Sequence, residues 1–83
     1  MEFIDYLQNR HKLMKGEREI KEESARQYNN RLVNLQKHKI YNGEKYIDEQ
    51  MLFKIKGHYK DTTNHYSRTI KYYIEYLNHL SRI

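Results

Sequence analysis

The sequence predicts an all-α protein, a bundle of four short helices in one domain that spans residues 1–83. Apolar side chains recur every three or four residues in four separate segments, as they do along one face of a helix. Serine, threonine or aspartate precedes three of these segments, where a side-chain oxygen caps free backbone amides. The chain has no proline, and its three glycines are isolated from one another. These features favour helices joined by short connections.

The first helix is predicted over residues 2–14, and a charged connection follows it. Phe3, Leu7 and Met14 lie close to the spacing of one helical stripe. Gly16 comes shortly after the stripe, at a position where glycine often ends a helix. The stretch KGEREIKEES is mostly charged, which predicts an exposed connection to the next helix.

The second helix is predicted over residues 25–37. Ser24 and Gln27 have the spacing of a capping box, in which a hydroxyl and an amide side chain satisfy free backbone donors reciprocally. After this cap, one helical face carries the apolar and aromatic residues Ala25, Tyr28, Leu32 and Leu35. We therefore expect that face to be buried.

Residues 38–47 are predicted to form a loop that contains a turn. Asn42 and Gly43 make up the dipeptide typical of a two-residue hairpin turn. The β-prone segments on either side are short, and an isolated hairpin is marginally stable. A brief β-ribbon is the open alternative.

The third helix is predicted to follow Asp48, which can cap it. Ile47 and Leu52 have the spacing of a hydrophobic staple across the helix start. Gly57 is predicted to end the helix. The residues expected to face the core are Met51, Leu52 and Ile55.

The fourth helix is predicted to begin after Thr62 or Thr63, either of which can cap it. Its apolar stripe steps by four and three residues alternately through Tyr66, Ile70, Tyr73, Leu77 and Leu80. This spacing assigns the rings of Tyr66 and Tyr73 to the core. Tyr72 and Tyr76 lie off the centre of the stripe, where they can be exposed.

The positive charge is concentrated in the later part of the chain. The protein has 83 residues and a formal net charge of +5. Residues 1–30 contain six basic and six acidic residues, whereas residues 31–83 contain ten and five, which accounts for the whole excess. This asymmetry favours a polyanionic partner, nucleic acid above all, and the alternative is an ordinary solvated basic surface.

The composition also bears on the cellular compartment. The chain has no cysteine, which suits a reducing intracellular setting. No apolar run approaches the roughly 20 residues that span a bilayer, and the first residues lack the pattern of a signal peptide. We expect a soluble, cytoplasmic protein.

Metal and catalytic chemistry have little support in the residue pattern. No two of the five histidines have the i, i+4 spacing that puts two imidazoles on one helix face, and the glycines form no phosphate loop. Glu75 is expected on the outer side of the fourth helix, which argues against a membrane-surface helix. We expect no cofactor site, no metal site and no enzyme activity.

Two helix openings in the chain are alike. SARQYNNRL at residues 24–32 and TTNHYSRTI at residues 62–70 share a hydroxyl residue, a tyrosine four residues later and a leucine or isoleucine four beyond it. With FIDYLQ at residues 3–8, YIDEQMLFKI at residues 46–55 and the later IKYYIEYL, they resemble the N-terminal core-binding domain of phage integrases and other tyrosine recombinases.

The resemblance implies a SAM-like fold, an orthogonal bundle of four helices that forms one half of a clamp around duplex DNA during integration or recombination. The second and fourth helices would face the duplex. Carried over by position, the candidate DNA contacts are Ser24, Arg26, Gln27, Asn30 and Arg31 on the second helix and Thr62, Asn64, His65, Arg68 and Lys71 on the fourth. Cations on the side of a helix suit phosphate oxygens, and asparagine and glutamine suit base edges.

The catalytic domain of that family is separate and follows in sequence, and 83 residues are too few to include it. None of the nine tyrosines is therefore predicted to be catalytic. The expected partners are duplex DNA and a recombinase catalytic domain. The alternative is a small phage or mobile-element regulatory protein that uses the same bundle to bind a protein through Phe53, Tyr72 and Tyr76.

Overall fold

A computed structural model describes residues 2–59 and 64–82, and it confirms an all-helical protein. These ranges contain four helices and no strand: α1 (Glu2–Leu13), α2 (Glu22–Lys37), α3 (Glu49–Tyr59) and α4 (His65–Leu80). The Cα radius of gyration is 12.7 Å, close to the roughly 12 Å expected for a compact chain of this length. None of the described helices combines the length and the apolar character needed to cross a bilayer.

The core lies where α1, α2 and α4 meet. Each of these helices packs against the other two, whereas α3 packs against α4. The aromatic ring of Tyr59, at the end of α3, stacks on that of Tyr66, near the start of α4, with the centroids 3.8 Å apart. The buried apolar and aromatic side chains are Phe3, Tyr6, Leu7, Ala25, Leu32, Leu35, Ile40, Tyr41, Met51, Ile55, Ile70 and Tyr76.

Helix α1 follows its predicted bounds closely and ends at Leu13, one residue early. Phe3 and Leu7 are buried, as the stripe predicts. Gly16 has a φ of +87°, in the left-handed region that glycine enters without steric cost, so the predicted stop after α1 is confirmed. Arg10 is also buried, although a charged residue was not predicted to lie in the core.

Helix α2 begins at Glu22, earlier than predicted, with Lys21 as its N-cap residue. The predicted capping box of Ser24 and Gln27 is therefore wrong, because Ser24 lies inside the helix rather than before it. Glu22 and Glu23 occupy the first turn, where negative charge is stabilised by the helix dipole. The apolar face is confirmed, with three of its residues buried and Tyr28 packed against the core.

The segment between α2 and α3 is a loop, as predicted, and no β-ribbon forms. The side chain of Tyr41 is fully buried, and its hydroxyl donates to the carbonyl oxygen of Glu44 at 2.7 Å. Ile40 is buried beside it. The backbone N–H of Ile40 donates to the carbonyl oxygen of Leu35 at 3.0 Å, which turns the chain back over the core.

Helix α3 has the predicted cap, since Asp48 Oδ1 accepts a hydrogen bond from the backbone N–H of Met51 at 2.9 Å. Met51 and Ile55 are buried, but Leu52 is 44% exposed, so its assignment to the core is wrong. The helix covers the core through a narrow stripe because it packs against a single helix. It also continues past Gly57, which the sequence predicted as its end.

The predicted caps of α4, Thr62 and Thr63, lie outside the described residues. Asn64 precedes the helix with a left-handed φ of +61° and makes no capping hydrogen bond with its side chain.

The buried face of α4 is rotated from the predicted stripe. Ile70 is buried, and Tyr66 and Tyr73 are half-buried against the core. Tyr76, predicted to lie off the stripe, is buried, whereas Leu80 is 45% exposed. The reason is the position of α1, whose Phe3 and Tyr6 rings lie 5.6 Å and 5.5 Å from the Tyr76 ring.

Candidate nucleic-acid interface

A groove of about 580 Å³ runs along the first half of α4. One wall consists of Asn64, Ser67, Arg68, Lys71 and Tyr72 from α4 and the residue before it. The remaining lining comes from Arg10 of α1, Glu17 of the α1–α2 connection, Ile47 before α3 and Leu52 of α3. The groove therefore joins three helices at a surface that carries basic side chains.

Three of the candidate contacts predicted for the fourth helix line this groove together. Asn64, Arg68 and Lys71 are exposed and follow the i, i+4, i+7 spacing, which puts them on one side of the helix. His65 is half-buried and does not line the groove; its carbonyl oxygen accepts a hydrogen bond from the Thr69 hydroxyl at 2.8 Å. Thr62 lies outside the described residues.

Arg31 of α2 is connected to the groove wall through two tyrosines. Its guanidinium lies 5.3 Å from the centroid of the Tyr28 ring, and that ring meets the Tyr72 ring edge-on at 5.1 Å. Tyr72 lines the groove, whereas Tyr28 and Arg31 do not, so Arg31 is connected to the groove through these two ring contacts. Ser24 and Gln27 are exposed, seven and four residues before Arg31, and therefore share its side of α2.

The other two candidates on α2 lie away from the groove. Arg26 and Asn30 are four residues apart on the side of α2 opposite to its buried stripe. The Arg26 guanidinium donates from Nη2 to Glu22 Oε1 at 2.7 Å, in an exposed ion pair within the helix. The structure thus separates Arg26 and Asn30 from the rest of the predicted contacts.

Arg10, a buried arginine that was not predicted as a contact, also lines the groove. Arg10 is 7% exposed and donates from Nε to Glu75 Oε1 at 2.5 Å and from Nη2 to Glu75 Oε2 at 3.2 Å. The hydroxyl of Tyr6 donates to the same Oε1 at 2.7 Å. The Arg10 guanidinium also lies 4.7 Å from the centroid of the Tyr72 ring, within the range of a cation–π contact.

The predicted outward position of Glu75 is therefore wrong, because its carboxylate faces α1 and binds two α1 side chains. The hydrogen bond to Glu75 raises the pKa of Arg10, so that the guanidinium stays charged. Burial, followed by the hydrogen bond to Glu75, raises the pKa of Tyr6. The available sequence signal was the i, i+4 spacing of Tyr6 and Arg10 beside the apolar stripe of α1.

One carboxylate lines the groove among these basic groups. Glu17 Oε1 lies 3.4 Å from Arg10 Nη2, and the Glu17 side chain is 48% exposed. Burial raises the pKa of the Tyr72 hydroxyl, while the nearby charges of Arg10 and Arg68 oppose this rise. Within the described ranges, no three His, Asp or Glu side chains come together as metal ligands.

No protein family model matches this chain, and no curated protein or solved structure is significantly similar to it. The resemblance to the core-binding domain of tyrosine recombinases therefore stays a prediction made from the residues.

Proposed function

We propose that the protein binds duplex DNA along the groove beside α4, as a SAM-like module that clamps DNA during integration or recombination. The observation that supports this most is the exposed strip of Asn64, Arg68 and Lys71 on the groove wall. Arg68 and Lys71 make no ion pair with any residue of the described ranges. Unpaired cations on a helix side are suited to phosphate oxygens, and the amide of Asn64 is suited to a base edge.

The position of Arg31 is a second observation that supports the proposal. The contacts from Arg31 to Tyr28 and from Tyr28 to Tyr72 connect a cation of α2 to the groove wall. A duplex lying across α2 and α4 would meet Arg31, Arg68 and Lys71. Few phosphate contacts of this kind give modest affinity that falls steeply with salt.

The test is fluorescence anisotropy with a labelled duplex of about 20 base pairs, titrated over a range of salt concentrations. We expect the double variant Arg68→Ala with Lys71→Ala to bind more weakly and to reduce the slope of log affinity against log salt by about 2. The matched control removes two exposed lysines of α3 outside the groove, Lys54→Ala with Lys56→Ala. Equal losses in both double variants, or no binding of the unaltered protein at low salt, would contradict the proposal.

A second candidate function, binding to another protein, is favoured by one observation on α3. Phe53 is 79% exposed, and Lys54 and Lys56 beside it are exposed as well. An exposed aromatic ring flanked by cations suits a partner with acidic side chains. The protein-binding surface predicted from the sequence also included Tyr72 and Tyr76. These two residues are less accessible to a partner, because Tyr76 is buried and Tyr72 is half-buried.

The two candidates are separated by where the sensitive residues lie. Under the protein-binding candidate, Phe53→Ser abolishes capture of a specific partner by the immobilised protein, and the Arg68→Ala, Lys71→Ala double variant retains it. Under the DNA-binding proposal, Phe53→Ser leaves DNA affinity unchanged, since Phe53 does not line the groove.

A further inference from the structure

We infer that Arg10 is a phosphate contact within the groove and that Glu17 occupies this contact as an internal competitor when no nucleic acid is bound. This inference rests on the proposed DNA-binding function and names a contact residue and a regulatory residue for the same site. It is carried by the burial of Arg10, the geometry of its guanidinium and the placement of the Glu17 carboxylate.

The guanidinium of Arg10 is held in place before any ligand arrives. Its Nε and Nη2 atoms donate to both carboxylate oxygens of Glu75, and the Tyr72 ring lies 4.7 Å away. A side chain fixed in this way has already lost its rotational freedom, so a ligand that binds it does not have to order it. Planar guanidinium groups also match the geometry of phosphate oxygens.

The Nη2 amino group of Arg10 has two N–H bonds, and they serve two carboxylates. One donates to Glu75 Oε2 at 3.2 Å, and the other donates to Glu17 Oε1 at 3.4 Å. The two residues joined by the second bond both line the groove. An oxygen of a phosphate could take the place of the Glu17 oxygen at this N–H.

The contact between Arg10 and Glu17 has the properties of a displaceable one. The distance of 3.4 Å is long for a hydrogen bond between charged groups, which commonly measures about 2.7–2.9 Å. Glu17 is 48% exposed and lies in the connection just after Gly16, outside any helix. Because the Glu17 side chain is half-exposed and the distance is long, we expect this ion pair to contribute little and to weaken as salt screens it.

The Glu17 carboxylate lowers the positive charge that an approaching anion meets at the groove. Arg10, Arg68 and Lys71 contribute +3, while Glu17 and Glu75 contribute −2, which leaves +1. Neutralising Glu17 changes this sum to +2. A phosphate within a few ångströms gains from the change, and the gain shrinks as salt screens the charges.

The experiment compares Glu17→Gln with Glu19→Gln by anisotropy on the full chain, with the same DNA duplex. Both variants remove one carboxylate from the same connection with little change of shape, but Glu19 does not line the groove. We expect Glu17→Gln to raise DNA affinity by about 3- to 10-fold at low salt, and Glu19→Gln to change it by less than about 2-fold. Equal effects of the two variants, or no effect of Glu17→Gln, would overturn the inference.

A second comparison tests Arg10 itself without removing its charge. Arg10→Lys retains the positive charge beside Glu75 but lacks the planar guanidinium that donates to Glu75 and Glu17 at the same time. We expect Glu17→Gln to raise affinity much less in the Arg10→Lys background, with folding of both variants checked by circular dichroism. An undiminished gain would overturn the role of Arg10, and if Arg10→Lys does not fold, the Glu17 and Glu19 comparison decides.

The outcomes also distinguish this inference from the proposed function. If Arg68→Ala with Lys71→Ala weakens DNA binding while Glu17→Gln and Glu19→Gln behave alike, the inference fails and the proposed function stands. If neither the unaltered protein nor any variant binds DNA at low salt, the inference and the proposed function both fail.

Discussion

Arg10 of α1 and Glu75 of α4 form a buried ion pair between residues 65 positions apart in the chain. The pair joins the first helix to the last. Tyr6 donates to the same carboxylate, so the α1–α4 contact combines an ion pair with a hydrogen bond between neutral and charged groups. The same guanidinium reaches the groove, which makes one residue part of both the packing and the candidate site.

Breaking this pair on one side should destabilise the protein strongly. Arg10→Ala or Glu75→Ala leaves an uncompensated charge in a poorly hydrated position, and we expect a loss of about 3 kcal/mol in the free energy of unfolding. Urea denaturation followed by circular dichroism measures it. The control is Arg26→Ala, which breaks an exposed pair with Glu22 and should cost less than about 1 kcal/mol. Similar losses in the two variants would show that burial of the Arg10–Glu75 pair is unimportant.

Two glycines should respond in opposite directions to the same substitution. Gly57 lies inside α3, and an added Cβ would meet no atom within 4 Å. Gly57→Ala should therefore stabilise the protein by about 1 kcal/mol, because alanine loses less backbone freedom in a helix. Gly16 has a φ of +87°, in a region that residues with a Cβ rarely adopt. Gly16→Ala should therefore destabilise the protein by about 1 kcal/mol. Thermal melting measures both, and a stabilising Gly16→Ala would contradict the assigned backbone conformation.

Neighbouring residues on α3 should differ in their contribution to stability. Met51 is buried, whereas Leu52 is 44% exposed at the groove. We expect Met51→Ala to lower the free energy of unfolding by about 2–4 kcal/mol and Leu52→Ala to lower it by less than about 1 kcal/mol. Urea denaturation of the two variants decides the matter. The reverse order would mean that α3 is rotated relative to the face described above.

Stability should fall in alkaline solution because of tyrosines with raised pKa values, among them the buried Tyr6 and Tyr41. Burial raises the pKa of the Tyr6 and Tyr41 hydroxyls above their ordinary value of 10.0. The folded protein then keeps these protons to a higher pH than the unfolded chain does. The stabilisation that results from this pKa difference is complete below about pH 10. It is lost as the pH rises from there through the raised pKa values of the folded protein.

The measurement is the free energy of unfolding at several values between about pH 8 and about pH 11. Tyr6→Phe and Tyr41→Phe should each make the alkaline decline shallower, since each removes one titrating hydroxyl. The exposed Tyr46 supplies the control, and Tyr46→Phe should leave the decline as it is. A decline of the same steepness in all three variants would contradict this origin.

Several features of the fold could be predicted because they depend on residues close in sequence. The apolar spacing in α2 identified its buried face, and Asp48 caps α3 as its position before the helix suggested. The cap of α2 was missed because Glu22 and Glu23 extend the helix backward past Ser24. Helix ends of this kind depend on small energy differences of about 1 kcal/mol between competing start positions.

The candidate site was predicted in part for a similar reason. Asn64, Arg68 and Lys71 share one side of α4 by helix geometry alone, and the groove contains all three. Arg26 was named with Arg31 because both positions were carried over from the resemblance, but Arg26 pairs with Glu22 while Arg31 lies against Tyr28. Arg10 was missed, since a charged residue beside an apolar stripe is ordinarily solvated.

The amino-acid sequence by itself determined which segments are helical and roughly where the basic side chains lie along them, because helical periodicity and charge are properties of neighbouring residues. Only the tertiary structure decided which flank of each helix is covered. The position of α1 buried Tyr76, exposed Leu80 and brought Arg10 to Glu75. Such contacts join residues far apart in the chain, and the free energy that selects them comes from packing and from pairing buried charges, which no local pattern encodes.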